Sequence, residues 1–419
     1  MNLLKNKYFI LAFFICLISI AWMQQQPDKH KAVIDFKAKT NLSIFKLSEN
    51  KLVDNNHSLS PIFEKLYRLR TGNDSSKLVI LHIGDSHIQG GFLSGRNRIS
   101  FQQYFGNAGR GLITPYKLTH SNEPKDYSIL SNVNWGKARC IDKKSDVELG
   151  VSAISISSQS PVADILITVN STEDQDYSFN KLTYFSPNNS SLQPDLSSGW
   201  SFSKNSASEI QLEQPTHCIN LIRNKSDSSN LMFSGVSVEN GKSGVLYHSI
   251  GVNGAHCQDY LNHPEFFHQT ALLKPDLIIV SLGTNEAFGK NFTKREFDSQ
   301  LTKFINLLKE ENRSAVFLIT TPAQVYNKKK VRRRLKFVVN KKCDLAAETV
   351  VDFGKRNNIA VWDMYRATGG NKSASIWFKN HLFGPDRVHF TEMGYFMQSD
   401  LFFTSFINAY NKYVDVRPE

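Results

Sequence analysis

The residues best suited to chemistry in this sequence begin with a serine that directly follows a compact apolar segment. The segment Leu78 to Ile83, LVILHI, runs into Gly84-Asp85-Ser86-His87. A short apolar run of this kind predicts a buried strand, and open α/β folds bind ligands just beyond the carboxyl ends of such strands. Serine is a weak nucleophile unless a neighbouring base accepts its proton. Ser86 therefore needs a histidine; without one, it is a helix cap in a strand-to-helix turn.

An acid and an imidazole that can complete such a site occur together far downstream. The segment GPDRVHF places Asp386 and His389 three residues apart, so one loop can hold both. His389 would accept the Ser86 proton, while Asp386 would orient the imidazole and stabilise its charged form. An isolated DxxH segment is more often an acid that caps the following segment and a histidine packed in the core than a catalytic pair. Beside Ser86, the pair predicts a base and its orienting acid.

Two further segments can supply hydrogen-bond donors for the oxyanion that forms in acyl transfer. Gly251-Val252-Asn253-Gly254 offers the backbone amide of Gly254, and Gly283-Thr284-Asn285-Glu286 offers the side-chain amide of Asn285 after an apolar strand. Either segment alone is also typical of an ordinary turn. With the serine and histidine segments, in this order along the chain, they form a specific set.

This set resembles the SGNH, or GDSL-like, hydrolase family, whose four blocks carry Ser, Gly, Asn and His. The stretches HIGDSHIQ, FGNAGRG, YHSIGVNGA, SLGTNEA and DRVHFTEMGY are most similar to the branch that contains peptidoglycan O-acetylesterases. The resemblance implies a serine esterase with a triad of Ser86, Asp386 and His389. It also implies an oxyanion hole formed by Ser86, Gly254 and Asn285.

Departures from the family pattern concern specificity and leave the reactive groups in place. Glu286 stands where the common GxND block has Asp, and GDSH replaces GDSL, which leaves acyl and alcohol specificity open. The chain contains no GxSxG elbow, which argues against an α/β-hydrolase. Its histidines are scattered and no CxxC pair occurs, so we expect neither a metal nor a cofactor.

The segments around these motifs predict an α/β fold with a parallel sheet, which in the family is a three-layer arrangement. Buried-strand patterns occur at Leu277 to Leu282, Ala315 to Thr320 and Ile359 to Trp362. Helical patterns lie between them, one of them at Asp344 to Phe353. A second helix is predicted from apolar residues that share one face at helical spacing, namely Phe297, Leu301, Phe304, Ile305 and Leu308.

A different pattern between about Ser121 and Glu239 predicts an all-β, sandwich-like domain inserted into the α/β unit. Short alternating segments such as Val151 to Ile156, Ile165 to Val169 and Lys181 to Phe185 are separated by turn-forming clusters. The hydrolase would then consist of residues 57–120 and 240–419. The family branch implies that the insertion, residues 121–239, resembles a carbohydrate-binding module. The polar stretch from Gln24 to about Asn56 is interpreted as a linker.

The amino terminus predicts export. Two lysines precede an apolar run from Tyr8 to Met23, the order expected of a secretory signal. Residues 1–23 are therefore a signal peptide or an uncleaved membrane anchor, and the protein is expected in the periplasm or cell envelope. Export also argues against nucleic acid as a partner.

The charge of the chain is unevenly distributed. The formal net charge is +12, and part of the excess lies in KKKVRRRLK, from Lys328 to Lys336. The default interpretation is a solvated helix face, and the alternative is a surface for an anionic polymer.

Together these features predict an exported serine esterase that removes O-acetyl groups from a polysaccharide, with peptidoglycan the substrate implied by the resemblance. Other polysaccharides, or transfer of the acetyl group to a sugar, fit the same residues. A glycan-binding protein on a disabled hydrolase scaffold is the alternative outside enzymes, and the complete Ser86, Asp386 and His389 set argues against it.

Overall fold

A computed structural model describes residues 29–198, 201–205, 208–224, 229–331 and 334–417. The predicted leader, residues 1–23, lies outside the described residues, so its role stays a prediction. Within the described ranges, no helix is long and apolar enough to cross a membrane.

The elements are numbered in chain order. The helices are α1 (Lys29–Ala32), α2 (Ser60–Arg70), α3 (Ser86–Gln89), α4 (Phe92–Phe105), α5 (Cys257–Leu261), α6 (Pro264–Thr270), α7 (Lys294–Glu311), α8 (Lys342–Asn357), α9 (Met364–Ala367), α10 (Ser373–Lys379) and α11 (Glu392–Val416). The strands are β1 (Leu52–Val53), β2 (Lys77–Gly84), β3 (Gly111–Ile113), β4 (Tyr127–Leu130), β5 (Gly136–Arg139), β6 (Ile154–Ser158), β7 (Asp164–Val169), β8 (Phe179–Phe185), β9 (Leu192–Pro194), β10 (Phe202–Asn205), β11 (Glu209–Thr216), β12 (Cys218–Arg223), β13 (Leu231–Phe233), β14 (Gly235–Glu239), β15 (Gly244–Gly251), β16 (Leu277–Ser281), β17 (Val316–Thr320), β18 (Tyr326–Val331), β19 (Arg334–Val339) and β20 (Ala360–Trp362).

A six-stranded sheet in the order β1-β20-β17-β16-β2-β15 forms the centre of the α/β unit. Its pairs are parallel except for β1 with β20, which confirms the predicted parallel sheet. The strand β2 lies between β15 and β16, and its last residue, Gly84, pairs with Gly251 on one side and Ser281 on the other. Three loops therefore leave the same edge of the sheet side by side.

Helices cover this sheet, as its apolar strands require, because a strand that is buried along its length needs cover on both faces. The long helix α11 packs against α2 and α4, while α7 packs against α5, α6 and α8. The predicted apolar face of α7 is confirmed, since its buried residues are the five that were predicted from helical spacing. The predicted helix at Asp344 to Phe353 lies within α8, and the three predicted downstream strands are β16, β17 and β20.

Antiparallel sheets occupy the region between the two parts of the α/β unit. Their strand orders are β10-β11-β8-β14-β3, β4-β7-β12-β9 and β13-β6-β5. The predicted segments at Ile165 to Val169 and Lys181 to Phe185 lie within β7 and β8, whereas the first predicted segment overlaps only part of β6. The edge strand β3 pairs with β14 although it precedes Ser121, so the largest antiparallel sheet recruits a strand from outside residues 121–239.

The prediction that residues 24–56 form a linker is wrong for residues 29–56, which are the part that the structure describes. Residues 29–56 pack on the α/β unit, and β1 extends the central sheet. The side-chain amide of Asn50 donates to Leu401 O at 2.8 Å, and its oxygen accepts from Trp362 Nε1 at 3.0 Å. The apolar residues that this segment buries are few and irregularly spaced, so its polar composition concealed them; they are Ala32, Ile34, Leu42 and Phe45.

The helix predicted for Lys328 to Lys336 is also wrong, because this run belongs to the antiparallel hairpin β18–β19. Lys329 pairs with Lys336, and Val331 pairs with Arg334 across the ribbon. The described cationic residues of this run are all exposed. A strand is recognised in a sequence by apolar residues that alternate toward a core, and a ribbon that carries cations on both faces lacks that signal.

Candidate active site

The nucleophile candidate lies in the turn between β2 and the short helix α3. Asp85 is the N-cap residue of α3, and its Oδ1 accepts a hydrogen bond from His87 N at 2.9 Å. Asp85 therefore performs the capping role that was the alternative for Ser86. A Cβ on Gly84 would lie 2.4 Å from Ile88 Cγ1 and 2.8 Å from the backbone oxygen of Ser281, so this tight turn needs glycine.

The structure brings together the three residues that the sequence analysis linked by chemistry. His389 Nε2 lies 2.8 Å from Ser86 Oγ, and His389 Nδ1 lies 2.7 Å from Asp386 Oδ2. The other oxygen of Asp386 accepts from the backbone amides of Val388 and His389 at 2.9 Å each. These are the contacts expected of a nucleophile, its base and the group that orients the base.

The Asp386 carboxyl is held in its charged form. Burial raises its pKa, but the hydrogen bonds from the His389 side chain and from the amides of Val388 and His389 outweigh burial, and the net pKa is lowered. A carboxylate can only accept hydrogen bonds, so His389 Nδ1 carries the hydrogen of this contact. His389 Nε2 is then the acceptor that faces Ser86. Both side chains remain partly exposed, at 42% for His389 and 46% for Asp386.

The two predicted oxyanion segments approach the serine turn from neighbouring strands. Asn285 Nδ2 donates to Ala255 O at 3.0 Å and to Asp85 Oδ2 at 3.3 Å. This amide therefore connects the residue after Gly254 with the residue before Ser86. Gly254 is exposed and has a φ of 80°, a left-handed conformation that favours glycine. The roles of Gly254 and Asn285 in binding an oxyanion stay predictions.

Residues that the sequence analysis did not assign hold these loops in place. Gln89 accepts from Asn253 N through Oε1 at 2.8 Å, and the Tyr260 hydroxyl donates to Gly84 O at 2.6 Å. The buried Glu286 accepts from Cys257 N at 2.7 Å, and burial raises its pKa. Glu286 was noted as a departure from the family pattern, and its position directly after Asn285 was the available signal.

Residues 228–396 match the model of the GDSL-like lipase/acylhydrolase family. Over these residues the chain is therefore similar to GDSL-like ester hydrolases. Among curated proteins, none matches the chain.

The chain also resembles solved structures. A structure of a peptidoglycan O-acetylesterase superposes with a TM-score of 0.70 at 19% identity, over 87% of this chain and 99% of that chain. An acetyl xylan esterase, AlAXEase, has a TM-score of 0.30 at 18% identity, over 38% of this chain and 81% of that chain. A lipase/acylhydrolase from Enterococcus faecalis has a TM-score of 0.30 at 19% identity, over 40% of this chain and 77% of that chain. The first of these supports the overall fold, including extra sheets beside the α/β unit.

The family match includes three of the four motif blocks and begins after the block that contains Ser86. Gly254, Asn285 and His389 lie inside residues 228–396, whereas Ser86 precedes them. The antiparallel sheets separate Ser86 from the rest in sequence. The parallel pairing of β2 with β15 and β16 reunites the four blocks in space.

A mainly apolar pocket lies beside the candidate active site and is lined in part by His87. His87 Nδ1 lies 2.9 Å from the Tyr395 hydroxyl, and the rings of His87 and His389 are 5.3 Å apart between centroids. Burial lowers the pKa of His87, which favours its neutral form. His87 thus lines this pocket. In the described part of the chain, no group of three or more His, Cys, Asp or Glu side chains can hold a metal ion.

Proposed function

We propose that this GDSL-like hydrolase is an exported carbohydrate esterase that removes O-acetyl groups from a polysaccharide, with peptidoglycan as the preferred substrate. The observation that carries the proposal is the hydrogen-bonded series Ser86 Oγ, His389 Nε2, His389 Nδ1 and Asp386 Oδ2. It supports a nucleophilic mechanism with Ser86 as nucleophile, His389 as base and Asp386 as the orienting acid.

In the first half of the proposed reaction, Ser86 Oγ attacks the acetyl carbonyl carbon as its proton passes to His389 Nε2. Negative charge develops on the carbonyl oxygen, where the backbone amides of Ser86 and Gly254 and the side-chain amide of Asn285 would donate hydrogen bonds. The sugar hydroxyl then leaves and takes the proton from His389. The acetyl group remains as an ester on Ser86.

In the second half, water attacks the acetyl carbonyl while His389 accepts its proton. The bond to Ser86 Oγ then breaks, the serine regains its hydrogen from His389, and acetate departs. Asp386 stays ionised throughout and stabilises the imidazolium that forms twice in each turnover. The partial exposure of His389 and Asp386 leaves water access to the site.

Several features support a polysaccharide as the acyl donor. The motifs resemble the peptidoglycan branch of the family, and the structure that matches 87% of this chain is that of a peptidoglycan O-acetylesterase. The net charge of +12 favours an anionic polymer over a neutral one. An export signal in residues 1–23 would bring the enzyme to the cell envelope, where peptidoglycan lies.

The domain division is part of this proposal. Residues 57–120 and 240–419 would form the hydrolase, and residues 121–239 would form a carbohydrate-binding-like insertion that positions a glycan over Ser86. The separate antiparallel sheets support an insertion. The pairing of β3 with β14 extends its sheet into the first hydrolase segment, so the two parts share one edge strand.

The experiment that tests the substrate proposal is acetate release from a matched panel of O-acetylated polymers. Peptidoglycan, xylan, alginate and cellulose would be supplied at equal acetyl content, with Ser86→Ala as the blank. A soluble acceptor sugar in a parallel reaction would detect transfer. We expect the largest kcat/KM on peptidoglycan and free acetate as the product.

Each other outcome changes a different part of the proposal. A preference for xylan or alginate would overturn the substrate and leave the esterase mechanism standing. Acetylated acceptor in place of acetate would make the protein a transferase. Equal rates for the parent protein and Ser86→Ala would remove the mechanism itself.

A further inference from the structure

The hairpin β18–β19 is the most strongly charged feature of the molecule. Seven of the fourteen residues from Tyr326 to Val339 are Lys or Arg, and none is acidic. We call this segment the cationic arm. It forms a sheet of its own, with β18 and β19 as the two strands.

The base of the cationic arm is fixed to the loop that carries Asp386 and His389. Tyr326 N donates to Arg387 O at 3.0 Å, and Arg387 lies between the acid and the base in sequence. The Arg387 guanidinium stacks on Phe337 of the arm and on Phe378 of α10, at 4.1 Å from each ring centroid. The arm therefore projects from the rim of the proposed active site.

The charges of the arm lack carboxylate partners within the part of the chain that the structure describes. No ion pair is formed there by Lys328, Lys329, Lys330, Arg334 or Lys336. Lys329 and Lys336 lie directly opposite each other across the ribbon. Like charges in this position destabilise a hairpin, so an anion bound between them would relieve the repulsion.

The two faces of the arm both carry cations. Residues two apart in a strand share a face, so Lys328 and Lys330 lie on one face, while Lys329 lies on the other together with its partner Lys336. A flat anionic surface such as a membrane would contact one face. A flexible polyanionic chain can contact both.

We propose that the cationic arm binds the carboxylate groups of an anionic glycan and thereby positions an acetyl ester on the same chain at Ser86. The inference rests on the proposed esterase function and identifies its substrate class as a polyanionic glycan. The arm acts through charge and proximity, because contacts remote from the reacting bond can hold a polymer in register for attack.

The test compares a charge-removed arm with a matched control. The arm variant replaces its described cations with Gln, namely Lys328, Lys329, Lys330, Arg334 and Lys336. The control variant makes the same change at four lysines and one arginine that are exposed elsewhere, namely Lys242, Lys274, Lys303, Lys355 and Arg313. The two variants lose the same charge from different surfaces.

Three substrates are needed: a small neutral acetyl ester, O-acetylated peptidoglycan stripped of phosphodiester polymers, and the same material after its carboxylates are amidated. On the carboxylate form, we expect the arm variant to lose about tenfold or more in kcat/KM, within the range of electrostatic steering. The loss should shrink at high salt, since the screening length falls from about 10 Å at 0.1 M to about 3 Å at 1 M. The control variant should match the parent protein on all three substrates.

The outcomes separate this inference from the function on which it rests. If the parent protein fails to hydrolyse the small ester, the esterase function is wrong. If it hydrolyses the ester but the arm variant equals it on the carboxylate polymer, the arm proposal alone is wrong. Equal losses on the free and amidated polymers would also overturn it, as would arm-dependent binding to vesicles of anionic lipid with unchanged polymer turnover. Arm-dependent turnover that appears only when phosphodiester polymers are retained would identify phosphate, and would contradict the carboxylate assignment.

Discussion

The side-chain amide of Asn285 joins two loops of the proposed site through its contacts with Ala255 O and Asp85 Oδ2. The 3.0 Å bond to Ala255 O holds the amide in place before substrate arrives, and the N–H group that makes the longer 3.3 Å contact with Asp85 is the one that can donate to the oxyanion instead. Donors that are held in advance stabilise developing charge at little reorganisation cost. We therefore assign Asn285 to the oxyanion and not to ground-state binding.

Asn285→Ala should lower kcat on a small acetyl ester by roughly 10²- to 10³-fold with little change in KM, because the lost donor acts mainly in the transition state. Asn253→Ala is the matched control, because the side-chain amide of Asn253 donates to Asn122 Oδ1 and Ser121 Oγ and is assigned no part in the oxyanion hole. Steady-state kinetics of both variants would decide. A change confined to KM in Asn285→Ala would contradict the assignment.

The titration of Asp85 should make the free energy of unfolding of the protein depend on pH. The Asp85 side chain is 1% exposed, and burial raises its pKa to about 6 from an ordinary value of 3.8. Between these values the folded protein keeps a proton that the unfolded chain releases. The free energy of unfolding therefore decreases as the pH rises through this window, by about 3 kcal/mol in total.

Asp85→Asn should remove most of that decrease, because asparagine can still cap α3 but cannot ionise. Urea unfolding of the parent protein and the variant at several values between pH 4 and pH 7 measures the effect. The difference between the two plots of unfolding free energy against pH gives the contribution of Asp85 alone, because the other carboxyls are the same in both proteins. Parallel curves would show that Asp85 does not titrate in this window.

At the residue scale, chemistry predicted Ser86, Asp386 and His389 because few residue types can perform acyl transfer. Asp85 was overlooked although it precedes the serine directly. Its importance depends on burial and on the approach of Asn285 from a distant loop. Such a contact exists only after β2 and β16 have paired.

At the element scale, an ion cluster connects α4 and the start of β3 to the antiparallel sheets. Arg98 of α4 and Arg110 before β3 both pair with Asp126, which directly precedes β4, and the distance from Arg110 Nη2 to Asp126 Oδ1 is 2.9 Å. The two guanidinium side chains are 2% and 1% exposed. Loss of the carboxylate would leave two buried cations without compensation.

Asp126→Asn should accordingly lower the free energy of unfolding by about 3–5 kcal/mol, the usual result of breaking a buried pair. Asp174→Asn serves as the control, because Asp174 pairs with Lys39 where the two side chains are 37% and 48% exposed. An exposed pair of this kind contributes about 1 kcal/mol or less. Equal decreases in the free energy of unfolding of the two variants, measured by urea unfolding, would contradict the stabilising role assigned to Asp126.

Elements with an apolar signal were the ones that the sequence predicted well. The strands β16, β17 and β20 are apolar runs, and the buried face of α7 follows helical spacing. The hairpin β18–β19 has no core-facing side, so its sequence shows neither the two-residue alternation of a half-buried strand nor the spacing of an amphipathic helix. Likewise, β3 is too short for its partner to be inferred before β14 is seen beside it.

At the scale of the whole molecule, the described residues from Lys29 to Asn56 are a structural part of the α/β unit. The strand β1 pairs with β20 at the edge of the central sheet, and the buried side chains of this segment belong to the hydrophobic core. The sequence concealed this because the segment is largely polar. Its contribution depends on contacts with α11 and β20, which lie more than 300 residues away.

A chain that begins at residue 57 should therefore be less stable than one that begins at residue 29. We expect a loss of about 5 kcal/mol or more, since each large buried side chain contributes roughly 1.5–3 kcal/mol. Urea unfolding of the two shortened chains tests this. If the urea unfolding transitions of the two chains have equal midpoints and equal slopes, residues 29–56 would again be interpreted as a linker.

The central claim is that an acetyl group passes through Ser86. The direct measurement is peptide mass mapping of the protein quenched during turnover of an acetyl ester. We expect one acetyl group on the peptide that contains Ser86 and none on that peptide in Ser86→Ala, whose kcat should fall by several orders of magnitude, as for loss of a triad member. Acetate release at the parent rate by a folded Ser86→Ala variant, or an acetyl group that accumulates on another residue, would contradict it.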